Sequence, residues 1–461
     1  MERQPDRSLA RGSHRRLPLE GALMPRAGGA ANSGDPYLPT HGNSGYRVER
    51  YELDLRYRPT TNRLSGTATL RIISIQTLTR FRLDLARLRV SRVRIEGRRG
   101  TRFAQSTGKV TISPASPIEP GETVTVVVEY AGTPIPHSSR WGAVGWEELA
   151  DGVIVASQPS GAPTWYPCND SVADKASYGI RITTDPAYTV IANGRLISRQ
   201  VASGLATWHY EQPEPTASYL ATAQIGRYEL TPQTWAEVPG VMAYPKPLEA
   251  RVAHDFDKVG EMMRVFTTLF GPYPFESYTI VVTPDELEIP LEAQSMAVFG
   301  SNHADGGGGS ERLVAHELAH QWFGNSVGLA SWQDIWLNEG FACYAEWLWS
   351  EFSGGAVADS IARQFRRQLT SHTHDFVIGD PGPAHMFDDH IYKRGALTLH
   401  ALRRTVGDDR FFPILRTWTA EHSHGVATTE QFRELAGRFA PKSLDKFFEA
   451  WVFKAPLPRL P

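Results

Sequence analysis

"VAHELAHQWFGN", Val314–Asn325, sets two histidines one helical turn apart with a glutamate directly after the first. On an α-helix, residues i and i+4 share a face, so His316 and His320 would aim both imidazoles at one point, with Glu317 beside them. A pair of imidazoles and a carboxylate in this order is what a hydrolytic metal centre needs: two ligands and a group that handles a proton. The chain has 15 histidines, so the motif alone does not separate a metal site from a chance spacing. The rest of the sequence has to decide.

A catalytic zinc takes three protein ligands and keeps a fourth position for water. The missing ligand is sought in WLNEGFACYAEW, Trp336–Trp347, where Glu339 opens what reads as a second amphipathic helix. A lone helical glutamate is ordinarily a solvated carboxylate. Joined to the two histidines, Glu339 completes the two-His-one-Glu ligand class of the thermolysin type. The expectation is one Zn2+ per chain on His316, His320 and Glu339, with Glu317 acting as general base and then acid.

Length and composition bound what surrounds this site. A chain of 461 residues exceeds the size at which a single hydrophobic core stops growing, so more than one domain is expected. Hydrophobic content of 41% and charged content of 21% belong to an ordinary globular protein. A net charge of -2 and a pI near 6.7 offer no basic field for nucleic acid or anionic membrane. No apolar stretch reaches the roughly twenty residues of a bilayer span, so neither nucleic acid nor membrane is expected as a partner. The 2 cysteines, Cys168 and Cys343, form no disulfide framework, which places the chain in a reducing compartment, the cytoplasm. The arginine-rich start lacks the apolar core of a secretory signal, so residues 1–45 read as a disordered tail. Whether translation begins at Met1 or Met24 stays open.

From Tyr46 the pattern has period two: Tyr51, Leu53, Leu55 and Tyr57 alternate with polar residues, and similar short runs continue to about Tyr228. This predicts an antiparallel β domain over residues 46–232. "YTVIANGRLIS", Tyr188–Ser198, suggests a hairpin turning at Asn193-Gly194. The pattern then changes, and residues 233–461 read as a mainly helical domain. Val252, Phe256, Val259, Met263, Phe266 and Phe270 recur at helical spacing as one helix ending at Gly271, and a strand follows at Tyr278–Val282. Asp305–Ser310, DGGGGS, lacks the Lys-Ser/Thr of a phosphate loop and reads as a flexible linker. Helices are predicted at the metal motif, Trp336–Glu351, Ala356–Leu369 and Tyr392–Thr405, with two more beyond.

HELAHQWFGN followed by WLNEGFA resembles the zinc aminopeptidases of the gluzincin clan, the aminopeptidase N type. The likeness extends to WYPCNDSVADKASY (Trp165–Tyr178), YKRGALTLHALR (Tyr392–Arg403) and FFEAWVFKAPLP (Phe447–Pro458). It implies an α+β chain with a β-sandwich-like domain over residues 46–232 followed by a thermolysin-like catalytic domain over residues 233–461, which agrees with the β-then-helical order read above, and hydrolysis of the N-terminal peptide bond of peptides with a free α-amine. Longer members continue into a C-terminal helical domain that roofs the active site, and this sequence is expected to do without it, leaving a more open cleft.

The resemblance also implies roles. Tyr392 matches the family's catalytic tyrosine, a hydroxyl donor for the oxyanion. The family recognises the substrate ammonium with a glutamate in a glycine-alanine-methionine-glutamate-asparagine motif. The matching stretch, EIPLEAQSM (Glu288–Met296), retains only the glutamate, Glu292, and Glu288 is its nearest rival. In SQPSGAPTWYPC, Gln158 is kept as a substrate contact, but Ser160 stands where many members carry an acidic residue or glutamine. A zinc endopeptidase and an epoxide hydrolase on the same metal are the alternatives, and a silent binding protein would need a broken metal set. The preferred N-terminal residue, the physiological substrate and the oligomeric state are not legible here.

Overall fold

The computed structural model describes residues 28–371 and 375–461. The period-two run forms the strand Tyr46–Arg58, whose Tyr51, Leu53, Leu55 and Tyr57 are buried. It lies inside a seven-stranded sheet, antiparallel to Arg63–Ser74 on one side and parallel to Lys175–Thr184 on the other. The parallel pair joins strands far apart in sequence. Parallel neighbours need a long crossover, and here most of the domain is laid down between them. A five-stranded sheet and a three-stranded sheet complete this domain, and one hydrophobic cluster, including Tyr51, Leu70, Val126, Trp146, Trp165 and Ile180, fills the space between.

Asn193-Gly194 is not a hairpin turn. Thr189–Ala192 belongs to the five-stranded sheet and Arg195–Ala202 to the seven-stranded one, so the dipeptide is the corner where the chain changes sheets. Asn193 is occupied otherwise: its Nδ2 donates to Leu220 O and Gln294 O, and its Oδ1 accepts from Thr222 N. The hairpin lies one strand later, where Ala202 pairs with Leu205 across Ser203 and Gly204, both at positive φ (52° and 76°). That is the backbone a type I′ turn demands.

The tail expected up to residue 45 is corrected in its last part. Residues 1–27 lie outside the described residues, but from Gly28 the chain packs across both domains. Asp35 Oδ2 accepts from Trp332 N (2.9 Å) and Ser331 Oγ (3.0 Å), and Tyr37 Oη donates to Asp380 Oδ1 (2.5 Å). Asn43 Nδ2 donates to Asp84 Oδ2 (2.7 Å) on the β side. A polar segment without periodicity is here ordered by a few long-range hydrogen bonds.

The second domain begins as a five-stranded mixed sheet whose first strand is Glu229–Trp235 and whose edge strand is Leu291–Ala293. The single helix expected before Gly271 is two, Glu249–Asp255 and Val259–Phe270, broken where the buried Phe256 turns inward. Gly271 ends the second with φ 104°. The glycine run is tied down rather than a free linker: Asp255 accepts from Gly306 N (2.7 Å) and Gly308 N (2.9 Å). Helices follow at Glu311–Ala319, Trp336–Phe352, Ala358–Thr370 and Asp389–Val406, with three beyond, one more than expected, at Asp408–Glu421, Thr429–Phe439 and Asp445–Val452.

The helices Trp336–Phe352 and Asp389–Val406 touch backbone to backbone. A Cβ added at Gly395 would lie 2.6 Å from Gly340 Cα, closer than any real contact. Gly395→Ala should therefore force the two helices apart and cost about 1–3 kcal/mol. Gly437→Ala, in the helix Thr429–Phe439 with open space at the added methyl, should instead gain about 0.5–1 kcal/mol from helix propensity. Urea unfolding of the two variants checks this, and equal stabilities would contradict the close-approach argument.

Candidate active site

The helix Glu311–Ala319 carries His316 and Glu317, and His320 caps its end. The helix Trp336–Phe352 packs beside it and brings Glu339 to the same point. Glu339 Oε2 lies 3.5 Å from His316 Nε2 and 3.5 Å from His320 Nε2. Ligands at about 2.0–2.2 Å from a tetrahedral zinc stand about 3.4 Å from one another, so the donor set fits an ion of that size. The far side of each imidazole is fixed. His316 Nδ1 pairs with Glu346 Oε1 (2.8 Å), and His320 Nδ1 lies 3.0 Å from Phe323 O, an acceptor only. Both rings thus present Nε2 lone pairs to the shared point, the arrangement outer partners impose on metal-ligating histidines.

The electrostatics agree. Burial works against charge on His316, yet the Glu339 and Glu346 carboxylates outweigh it and push its pKa up to about 10. His320, likewise buried, is pushed up to about 9, chiefly by Glu339 and Glu292. Burial also opposes charge on Glu339, but the two histidines hold it down at about 2. The pocket thus calls for positive charge at its centre. Glu317 adds to that demand, since its Oε2 is buried and no protein donor reaches it.

The remaining predicted residues converge on one cavity of about 510 Å³, lined by Gln158, Glu292, His316, Glu317, His320, Glu339 and Tyr392 among others. Glu292 sits on the edge strand Leu291–Ala293, paired with Ala297. Two side chains of the opening motif hold that strand against the metal helix. Gln321 Nε2 donates to Ala293 O (3.1 Å) and its Oε1 accepts from Ser295 N (2.8 Å), while Asn325 Nδ2 donates to Ala293 O (2.9 Å). Glu292 is buried, and desolvation, reinforced by Glu339 and Glu317, pushes its carboxyl up to about 7. Gln158 Nε2, from the β domain, donates to Glu292 Oε1. Glu288 is exposed and does not line the cavity, and neither does the buried Ser160. The Tyr392 ring stacks on His316 at 6.0 Å, and burial with the surrounding carboxylates raises its pKa, so the hydroxyl keeps its proton. Of the other histidines, His400 is a core residue bonded to Tyr344 and Asp359, and His385 stacks on Phe376.

Glu346, Arg312, Trp141 and Phe387 are among the lining residues that sequence reading missed. Glu346 lies two turns after Glu339 and Arg312 one turn before His316, so helical spacing was a usable signal for both. Trp141 and Phe387 carry none, because they come from different domains and meet only in the fold, ring centroids 5.9 Å apart.

Residues 47–220 match the Peptidase M1 N-terminal domain, and residues 254–451 match the Peptidase family M1 domain. An M1 zinc metallopeptidase from Deinococcus radiodurans, a glutamate-to-alanine variant bound to a Tyr-Ser-Ala substrate, is 31% identical and superposes with a TM-score of 0.86, over 93% of this chain and 99% of that one. This chain belongs to the M1 peptidase family. Among curated M1 relatives, human endoplasmic reticulum aminopeptidase 1 is 26% identical over 437 residues, 86% of this chain and 46% of the relative. Tricorn protease-interacting factor F2 of Thermoplasma volcanium is 24% identical over 67% of this chain and 42% of its own length. This M1 peptidase chain therefore spans less than half the length of these two relatives.

Because Glu346 fixes the His316 ring and adds negative charge, Glu346→Gln should weaken zinc binding about 10- to 100-fold. Competition against a chelator of known affinity measures it, with circular dichroism to show that the fold persists. Unchanged zinc affinity would remove Glu346 from the metal's support.

Proposed function

We propose that this M1 peptidase removes N-terminal residues from peptides with a free α-amine, using one Zn2+ held by His316, His320 and Glu339. The observation that carries the reading is Glu292: a buried carboxylate beside the metal set, steadied by Gln158. An ammonium placed there gains a charge-assisted hydrogen bond, and a chain running past it in both directions would bury that carboxylate unpaired. The same reading is supported by an aminopeptidase among the relatives and by a zinc metallopeptidase with a bound Tyr-Ser-Ala substrate among the similar structures.

A zinc ion held by His316, His320 and Glu339 would supply Lewis-acid polarisation of the scissile carbonyl and a water of lowered pKa. Glu317 takes the proton of the attacking water and returns it to the leaving amine. The Tyr392 hydroxyl donates to the developing oxyanion, and Glu292 with Gln158 orients the ammonium so that the first peptide bond lies over Glu317. Two separate buried thiols, Cys168 and Cys343, fit a cytoplasmic location. Among the described residues no helix is long and apolar enough to cross a membrane.

Chelation should abolish turnover and zinc restore it. Glu317→Gln should retain zinc while kcat falls about 10²- to 10⁴-fold, and Tyr392→Phe should lower kcat far more than it raises KM. The test of reaction class is N-acetylation. Wild type should cleave acetylated substrates about 10- to 100-fold less efficiently than free ones, and Glu292→Ala should narrow that gap. If wild type cuts internal bonds of acetylated peptides as readily as it trims free ones, the enzyme is an endopeptidase.

A further inference from the structure

The cleft has a second charged end that the proposed chemistry leaves unused. Arg312 stands one turn before His316 on the same helical face and lines the same cavity. Its Nη1 donates to Glu346 Oε2 at 2.8 Å, and among the described residues no other acceptor takes its remaining N–H groups. The side chain is 57% exposed. The neighbouring cation is not available in this way: Lys393 is 11% exposed, with Nζ turned toward Cys343 Sγ (3.5 Å) and Asp389 Oδ1 (3.7 Å). Asp389 is an exposed carboxylate on the same rim, and Lys393 is the cation that offsets it. Among the described residues lining the cleft, Arg312 is thus the more exposed of the two cations and the one open to an anion from solvent.

Distance gives the anion a size. The ligand atoms of Glu292, Glu317 and His320 lie within 4.8 Å of one another, so the ammonium end of the cleft is at His320. Arg312 and His320 are eight residues apart, about 12 Å along a helix axis. An extended tripeptide spans about 10 Å from amine to carboxylate, close to that separation. A guanidinium with a free edge is the side chain best shaped to grip a carboxylate through two hydrogen bonds.

We propose that Arg312 binds the C-terminal carboxylate of short peptides, so that the cleft selects zwitterionic tripeptides by both ends at once. The proposal rests on the aminopeptidase reading for the ammonium end. It is tested with Ala-Ala-Ala and its C-terminal amide. Wild type should prefer the free acid by about tenfold or more in kcat/KM, mostly through KM, and Arg312→Gln should bring the ratio close to one. Arg312 also touches Glu346, but any disturbance passed to the metal site slows both substrates alike, so the ratio reports the carboxylate contact alone. Calorimetric binding of the two peptides to zinc-loaded Glu317→Gln protein should show the same preference, and Glu317→Gln/Arg312→Gln should lose it. A wild-type ratio near one, or a ratio that survives Arg312→Gln, overturns the proposal. Cleavage of an alanyl arylamide, which has no carboxylate, tests the aminopeptidase reading separately; should that fail, the binding ratio still decides the role of Arg312.

Discussion

Four buried carboxylates, Glu292, Glu317, Glu339 and Glu346, crowd around one point in this protein. Burying that much negative charge is costly unless positive charge is supplied in the same place. The Arg312 guanidinium supplies part of it, and without a metal the two imidazoles are drawn to hold protons, which is why His316 and His320 are pushed so far up and Glu339 so far down. A divalent cation on the three residues would take the place of those protons. The demand for a counter-charge links the fold to the chemistry, because each carboxylate arrives on a different part of the structure and has to be held there.

The holding is done by backbone contacts and amides. Glycines at 340 and 395 let the Glu339 helix and the Tyr392 helix approach closely, which sets ligand and hydroxyl on facing sides of the cleft. Gln321 and Asn325 saturate the backbone of the edge strand and so fix Glu292 at a set distance from the metal helix. These two residues lie just past His316 and His320, and they position the Glu292 carboxylate. One short segment therefore organises both the histidine pair and the Glu292 strand.

The β domain is a structural part of the catalytic centre. Lys175 Nζ donates to Asn325 O and Ser326 O (2.8 Å each) and to Gly425 O (3.2 Å), clamping the turn that follows the metal helix. Asn193 reaches Gln294 O behind the Glu292 strand, and Gln158 reaches Glu292 itself. The segment that carries Asp35 and Tyr37 ties the start of the Glu339 helix and the stretch before Tyr392 to the same domain. Shifts between the domains would be felt at the ammonium site before the metal, since the metal ligands all belong to one domain and Gln158 does not.

Local chemistry made much of this legible in the sequence. Period-two burial placed Tyr51, Leu53 and Leu55 on one face of a strand, and a four-residue spacing placed His316 and His320 on one face of a helix, because both are properties of the backbone within a few residues. What was illegible depended on distant partners. Asn193-Gly194 has the local signature of a hairpin, yet Asn193 is claimed by Leu220, Thr222 and Gln294, and the turn moved to Ser203-Gly204. The polar stretch before Tyr46 has no pattern, and only Trp332, Asp380 and Asp84 order it. The sequence by itself determined the His316, His320, Glu317 and Glu339 constellation and the order of a β domain before a helical one, since each rests on short-range periodicity or a dense motif. Tertiary structure alone decided that Glu292 rather than Glu288 enters the cleft, that Glu346 braces His316, and that Arg312 lines the same cleft with its side chain exposed, because which carboxylate is buried and which cation keeps free donors depends on what packs against it.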